Sequence, residues 1–92
     1  MAYQVIILAA AEADLERLDG QVRSRILRRL VWLRDNAHQL VHHRLVNMPD
    51  DLAGLCRYRV GDYRVLYWHD SAGRVIKVYR IQHRREVYED IE

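Results

Sequence analysis

The chain has 92 residues, half of them hydrophobic, so we expect one domain over residues 1–92 with a modest core. Its single cysteine, Cys56, excludes an internal disulfide and a cysteine-based zinc site. Its net charge of +2 conceals an uneven distribution, because residues 1–20 contain four acids and one arginine, whereas residues 57–85 contain eight basic residues and two acids, a balance of +6.

The N-terminal half predicts a strand followed by two helices. An apolar, β-branched run at residues 3–8 is typical of a strand. Helix-forming residues follow at 11–18 and 21–37, and Gly20 between them indicates a helical hairpin. Residues 38–53 are expected to be irregular. The apolar stripe of the second helix consists of Val22, Ile26, Leu30 and Leu33, at helical spacing.

The C-terminal half predicts a three-stranded antiparallel meander. Strand-like runs at 55–60 and 63–69 flank Gly61-Asp62, a strong hairpin signal. A turn at 70–73 leads to a further strand at 74–81, with a short C-terminal turn of helix after it. The predicted order is β-α-α-β-β-β-(α), an α+β domain in which the helical hairpin packs on an antiparallel sheet.

Alternation along the strands predicts two unlike sheet faces. One face is apolar and is expected to pack on the helices. The other carries Arg57, Arg59 and Arg64 with Trp68 among them. Arginines bind phosphates and aromatic rings stack on bases, so this face predicts RNA binding. The alternatives are an ordinary solvated face or a surface covered by a partner chain.

The segment HRREVY, residues 83–88, adds groups suited to phosphodiester cleavage. RNA can be cut without a metal when its 2′-OH attacks the adjacent phosphate, which needs a base, an acid and cations. Arginine cations would act electrostatically, whereas His83 titrates nearest neutrality. Tyr88 lies four residues after Arg84, on the same face of a helix. Each residue has a structural alternative, such as packing for Tyr88 or an ion pair with Glu89 for Arg85.

No metal-ligand pattern, glycine-rich phosphate loop or Ser-His-Asp pattern stands out, so we expect no metal and no cofactor. The N-terminus lacks the basic segment of a signal peptide, and no apolar run approaches the roughly 18 residues of a membrane span. The single cysteine also fits a reducing compartment. We therefore expect a cytoplasmic protein that does not enter a membrane.

With these motifs in this order, the chain resembles the RelE/ParE toxin superfamily, and RelE-type toxins most closely. The resemblance rests on LVNMPDDLAGLCRYRVGDYRVLY (45–67) and IQHRREVY (81–88). It implies the toxin of a type II toxin–antitoxin system, a ribosome-dependent mRNA endonuclease that cleaves codons in the ribosomal A site by 2′-OH attack. It also implies a RelB-like antitoxin as partner, in a complex that binds operator DNA through the antitoxin.

The resemblance assigns roles to individual residues. Arg57 and Arg64 match phosphate-contacting positions, and Arg84 matches a transition-state cation. Tyr88 matches a C-terminal tyrosine that orients or stacks on the substrate, and His83 a position that is basic or histidine in many members. These five residues are the predicted catalytic set, and three further residues are predicted to bind RNA: Arg59, Trp68 and Arg85.

One departure concerns Leu55, which occupies the position of a second lysine in the best-known RelE-type site. The chain therefore lacks one candidate base and must use His83 or an orienting effect alone. Two alternative functions remain open. One is a ParE-like DNA gyrase inhibitor without RNase activity, and the other is a non-catalytic member that only binds its antitoxin.

Overall fold

Two helices pack on one face of a five-stranded sheet in the computed structural model, which describes residues 3–85. This arrangement confirms the α+β class. Within the described residues, neither helix is long and apolar enough to cross a bilayer. The elements in chain order are β1 (Gln4–Ile7), α1 (Ala9–Glu16), α2 (Gly20–Asn36), β2 (His43–Arg44), β3 (Cys56–Val60), β4 (Tyr63–Asp70) and β5 (Val75–His83).

The sheet is mixed, whereas the sequence predicted a wholly antiparallel one. Its strand order is β1-β5-β4-β3-β2, with β1 parallel to β5 and the other pairs antiparallel. The segment 38–53, expected to be irregular, contributes the short strand β2 and a 3-10 turn at Asp50–Leu52. A two-residue strand is too short for a periodic signal, and an apolar run does not encode the direction in which it pairs.

Backbone conformation explains where the strands begin and end. Gly61 has φ of 60° and Asp62 does not have a positive φ, as a type II′ hairpin turn requires. Arg74, expected to begin the last strand, has φ of 55°, a left-handed conformation outside the β region. The strand therefore begins one residue later, at Val75.

The core lies between the helices and the sheet, as the strand alternation predicted. Ile26 and Leu33 of α2 are fully buried, and burying such side chains contributes roughly 1.5–3 kcal/mol each. We call the side of the sheet that meets them the helix-covered face. The buried sheet residues in contact with the helices are Cys56, Val60, Val65, Tyr67, Ile76, Val78 and Ile81.

A buried carboxylate joins α1 to β5. Asp14 is 4% exposed, and its Oδ2 accepts hydrogen bonds from Arg80 Nε at 2.7 Å and from the Ile81 backbone N–H at 2.9 Å. Its Oδ1 accepts from Arg80 Nη2 at 3.1 Å and from Arg17 Nη2 at 2.5 Å. The carboxylate charge is thereby compensated by two guanidinium groups, as a buried charge requires.

Candidate functional site

Three arginines lie together on the sheet face opposite the helices. Arg59 of β3 stands directly across from Arg64 of β4, and Arg57 stands across from Leu66. Arg57 and Arg64 are therefore diagonal neighbours, a separation of roughly 7–8 Å in a sheet. Within residues 3–85, no hydrogen bond or ion pair engages the side chains of Arg57 or Arg59. We call these three residues the sheet arginines.

Arg64 differs from the other two sheet arginines because it is buried. Only 6% of it is exposed, and its Nη1 donates to the Gly61 carbonyl and to the Tyr63 carbonyl, each at 3.0 Å. Both carbonyls belong to the β3–β4 turn, so the guanidinium fixes the turn that precedes it. A buried charge is also less screened by solvent ions than an exposed one.

The C-terminal half of the predicted site reaches the same end of the sheet. The Arg84 backbone N–H donates to the Asp62 carbonyl at 2.8 Å, which places Arg84 beside the β3–β4 turn. Residues 84 and 85 are helical and exposed. The structure therefore brings Arg84 to the end of the sheet where Arg59 and Arg64 pair. Tyr88 and Glu89 lie outside the described residues.

His83 lies on the other side of the sheet from the sheet arginines. It pairs with Tyr63, and their rings meet edge to face at 5.4 Å and 85°. Tyr63 packs against the core, so the His83 ring is on the helix-covered face. Its Nδ1 accepts the Arg85 backbone N–H at 3.3 Å, so in the neutral ring the proton is on Nε2.

Trp68, predicted to bind RNA, makes one hydrogen bond and one ring contact with other parts of the structure. Its Nε1 donates to the Ala53 carbonyl at 2.9 Å, and its ring lies 5.3 Å from that of Tyr79. Leu55, at the position of the missing lysine, is fully buried. The loop before β3 is thus fastened to the sheet by these side chains, and Trp68 is half-buried rather than open to bases.

Sequence reasoning missed a second aromatic and cationic group, on the helix-covered side of β3. Arg29 and Trp32 of α2 contact Tyr58 of β3. The two α2 residues are three positions apart and thus neighbours on one helix face, off the apolar stripe. That spacing was readable from the sequence, but their proximity to Tyr58 depends on tertiary packing across 26 or more positions.

A histidine cluster joins β4 to the segments around β1 and β2. The rings of His42 and His69 stack at 3.8 Å and 20°. His42 Nε2 donates to the Ala37 carbonyl at 2.9 Å, so in the neutral ring Nδ1 accepts from the Tyr67 hydroxyl at 2.7 Å. His69 Nε2 bonds the Tyr3 hydroxyl at 2.8 Å. We call His42, His69, Tyr3 and Tyr67 the histidine cluster.

Burial perturbs two groups in this cluster. It raises the pKa of Tyr67, with the nearby Cys56 and Tyr58 adding to the shift. The pKa of His69 is lowered, first by burial and then by His42 and Arg44, while Asp70 acts in the opposite direction. Among residues 3–85, no three His, Cys, Asp or Glu side chains come close enough to hold a metal ion. The cluster therefore links its rings by hydrogen bonds and stacking.

Several known proteins share this architecture. The toxin of the RelBE2 toxin–antitoxin complex from Mycobacterium tuberculosis is similar at a TM-score of 0.75 and 25% identity, over 90% of this chain and 99% of that one. The archaeal RelE–RelB complex from Pyrococcus horikoshii matches at 0.70 and 26%, over 91% and 97%. A free double arginine-to-alanine mutant of Escherichia coli RelE shares the fold at 0.72 and 22%, over 99% and 95%.

The family assignment rests on the sequence as well as the fold. No curated protein sequence matches the chain. A family model describing the ParE toxin of the type II toxin–antitoxin system parDE matches residues 5–88, from the second residue of β1 to beyond the end of β5. This match and the RelE-like fold confirm the predicted resemblance to the RelE/ParE superfamily. The chain belongs to the ParE toxin family and is a type II toxin of the RelE/ParE superfamily.

Proposed function

We propose that the chain is a metal-independent, ribosome-dependent mRNA endonuclease. The observation that carries the proposal is the grouping of three arginines on one sheet face, next to the turn that the Arg84 backbone contacts. Arg57, Arg59 and Arg64 share this face, and the backbone of Arg84 bonds the turn beside them. Clustered guanidinium groups suit a phosphodiester whose charge increases in the transition state.

The proposed reaction is transesterification within a single RNA strand. The 2′-oxygen attacks the adjacent phosphorus, its proton passes to solvent, and the 5′-oxygen leaves with a proton. The products are a 2′,3′-cyclic phosphate and a 5′-hydroxyl end. Arg57, Arg59 and Arg84 contact the phosphate, and the buried Arg64 contributes its charge while it holds the turn. Tyr88 orients the substrate in this scheme.

The proposal includes protein and nucleic-acid partners. The similar toxins from M. tuberculosis and P. horikoshii were solved in complexes with their antitoxins. We infer that this chain likewise binds a RelB-like antitoxin, and that the complex binds operator DNA through the antitoxin. Basic residues such as Arg85 contact ribosomal or messenger RNA in the cytoplasm, with the ribosome positioning the strand to be cut.

Primer extension on mRNA from cells induced for the protein tests the proposal. Cuts within translated codons should appear with the wild type and disappear with Arg84→Ala. Arg28→Ala is the matched control, because Arg28 is an exposed arginine of α2, away from the sheet arginines. Cuts that persist in Arg84→Ala, or that vanish equally in Arg28→Ala, contradict the proposed site.

A second candidate function is gyrase inhibition, and the match to the ParE family model favours it. In this case induction produces gyrase-dependent DNA breaks while mRNA stays intact. Both readouts come from the same induced cells, so one experiment separates the two targets. Neither cuts nor breaks, with the antitoxin still bound, would indicate a non-catalytic member that only binds its antitoxin.

A further inference from the structure

A groove of about 430 Å³ opens between α2 and β3 and includes residues from both faces of β3, with Tyr58 on the helix-covered face and Arg57 and Arg59 on the other. Neither Arg64 nor Arg84 lines it. Its volume lies within the range of roughly 300–1,000 Å³ typical of sites for small ligands. The lining residues that matter below are Arg29, Trp32, His43, Arg57, Tyr58 and Arg59.

One wall of the groove is an aromatic stack held by a cation. The rings of Trp32 and Tyr58 are nearly parallel, at 15°, with centroids 6.3 Å apart. The Arg29 guanidinium lies 4.7 Å from the Trp32 ring and 5.5 Å from the Tyr58 ring, and its Nη2 donates to the Tyr58 hydroxyl. The two rings and the guanidinium are therefore mutually fixed before any ligand arrives.

The aromatic surface is nevertheless open to solvent. Trp32 is 39% exposed, an unusual state for the largest apolar side chain. Trp68, the other tryptophan, is half-buried and has its indole N–H bonded to Ala53. Of the two, Trp32 is the more exposed and has more ring surface to offer a ligand.

The charge of the groove is uniformly positive. Arg29, Arg57 and Arg59 line it, and no acidic residue is among the lining residues. Within residues 3–85 none of these three arginines forms an ion pair. The groove therefore combines an exposed aromatic ring with unneutralised guanidinium groups. An acidic peptide would satisfy the guanidinium groups but would leave the indole surface unused, whereas a nucleotide can use both.

We propose that this groove binds one unstacked nucleotide of single-stranded RNA. The base stacks on the Trp32 ring, and the flanking phosphates pair with Arg57 and Arg59. Arg29 holds the ring in the stacking orientation. The inference deepens the proposed function: Arg57 and Arg59 belong to both the groove and the proposed cleavage site, so a nucleotide stacked on Trp32 lies next to the phosphate to be cut and orients the strand.

The test uses the two tryptophans as internal reporters. In two-dimensional ¹H–¹⁵N spectra the indole N–H signals of Trp32 and Trp68 are assigned with Trp32→Phe and Trp68→Phe. The free wild-type protein is then titrated with a 2′-O-methyl hexaadenylate, which cannot be cut by 2′-OH attack. We expect a saturable shift of the Trp32 signal and little movement of the Trp68 signal.

Two comparison ligands separate stacking from charge. An abasic oligomer with the same number of phosphates should bind about fivefold or more weakly, the range expected for loss of a base–aromatic stack. Hexaglutamate should not reproduce the Trp32 shift. Equal binding of the abasic oligomer overturns base recognition, and an equal Trp32 shift with hexaglutamate assigns the groove to an acidic peptide instead.

Variants complete the experiment. Trp32→Leu and Arg29→Gln should each weaken oligonucleotide binding by about fivefold or more, whereas Arg28→Gln, which removes the same charge from the same helix, should change it less than about twofold. If Trp32→Leu does not fold, the wild-type shift still decides the question. Binding without mRNA cleavage contradicts only the proposed function, and cleavage without a Trp32 shift contradicts only this inference.

Discussion

The histidine cluster and the sheet arginines both place polar side chains on one sheet. They differ in whether those side chains have hydrogen-bond or ion-pair partners inside the protein. Both ring nitrogens of His42 have partners inside the protein, and His69 is bonded to Tyr3. Arg57 and Arg59 have none within residues 3–85. The difference separates residues that hold the fold together from residues whose charge remains available to a ligand.

Arg64 and Asp14 refine the comparison. Among residues 3–85, Asp14 is the least exposed charged residue, and its carboxylate contacts Arg17, Arg80 and the Ile81 N–H. Arg64 has both a structural and a proposed ligand-binding role, because its side chain bonds two turn carbonyls and it also lies beside Arg59. Substitutions should therefore affect stability alone at Asp14, both stability and activity at Arg64, and activity alone at Arg59.

The largest effect on stability is expected for Asp14→Ala. The change removes the acceptor of the Ile81 N–H and the carboxylate that faces Arg80, and breaking a buried ion pair costs about 3–5 kcal/mol. Asp35→Ala is the control, because the pair of Asp35 with Arg34 is exposed and worth less than about 1 kcal/mol. Urea unfolding measures both, and equal losses would contradict the distinction.

Arg64→Gln and Arg59→Gln separate the two roles of the arginines. Arg64→Gln leaves the Gly61 and Tyr63 carbonyls without a donor, so we expect about 1–3 kcal/mol lower stability as well as reduced cleavage. Arg59→Gln should change stability by less than about 0.5 kcal/mol and reduce cleavage about 10²-fold. Unfolding curves measure the change in stability, and primer extension measures the change in cleavage. If Arg59→Gln lowers stability as much as Arg64→Gln, the two arginines do not differ in their structural role.

The same contrast shows what the sequence could predict. Strand alternation and the Gly61-Asp62 turn are local, so the face shared by Arg57, Arg59 and Arg64 was predicted correctly. Contacts between distant positions left no local signal. The bond between Tyr3 and His69 spans 66 positions, and the parallel direction of β1 depends on how the helical hairpin returns the chain to the sheet.

His83 illustrates the limit of residue type as a guide. The sequence made it the best acid or base, but the structure puts its ring against Tyr63 on the helix-covered face. We therefore expect His83→Gln to reduce cleavage by less than about tenfold, because the arginines carry the electrostatic stabilisation. A loss of about 10²-fold or more in single-turnover cleavage would instead identify His83 as the general acid or base.

The smallest expected effect is the pH dependence contributed by His69. Its pKa is lower in the folded protein than the ordinary value of 6.5, so below that pH the unfolded chain binds more protons. Stability should therefore fall as the pH decreases from 6.5 toward the folded-state pKa. If the unfolded chain binds one more proton than the folded protein, stability changes by at most about 1.4 kcal/mol per pH unit. Partial exposure of His69 makes the expected change smaller than this limit.

Urea midpoints between pH 7.5 and pH 5 measure this contribution. His69→Gln should flatten the pH dependence of stability relative to the wild type, because Gln does not titrate. His38→Gln, which removes an exposed histidine outside the cluster, should leave the slope nearly unchanged. If the two variants flatten the slope equally, the stacked pair with His42 has no special influence on His69, and the inward-facing cluster stabilises the fold through its hydrogen bonds alone.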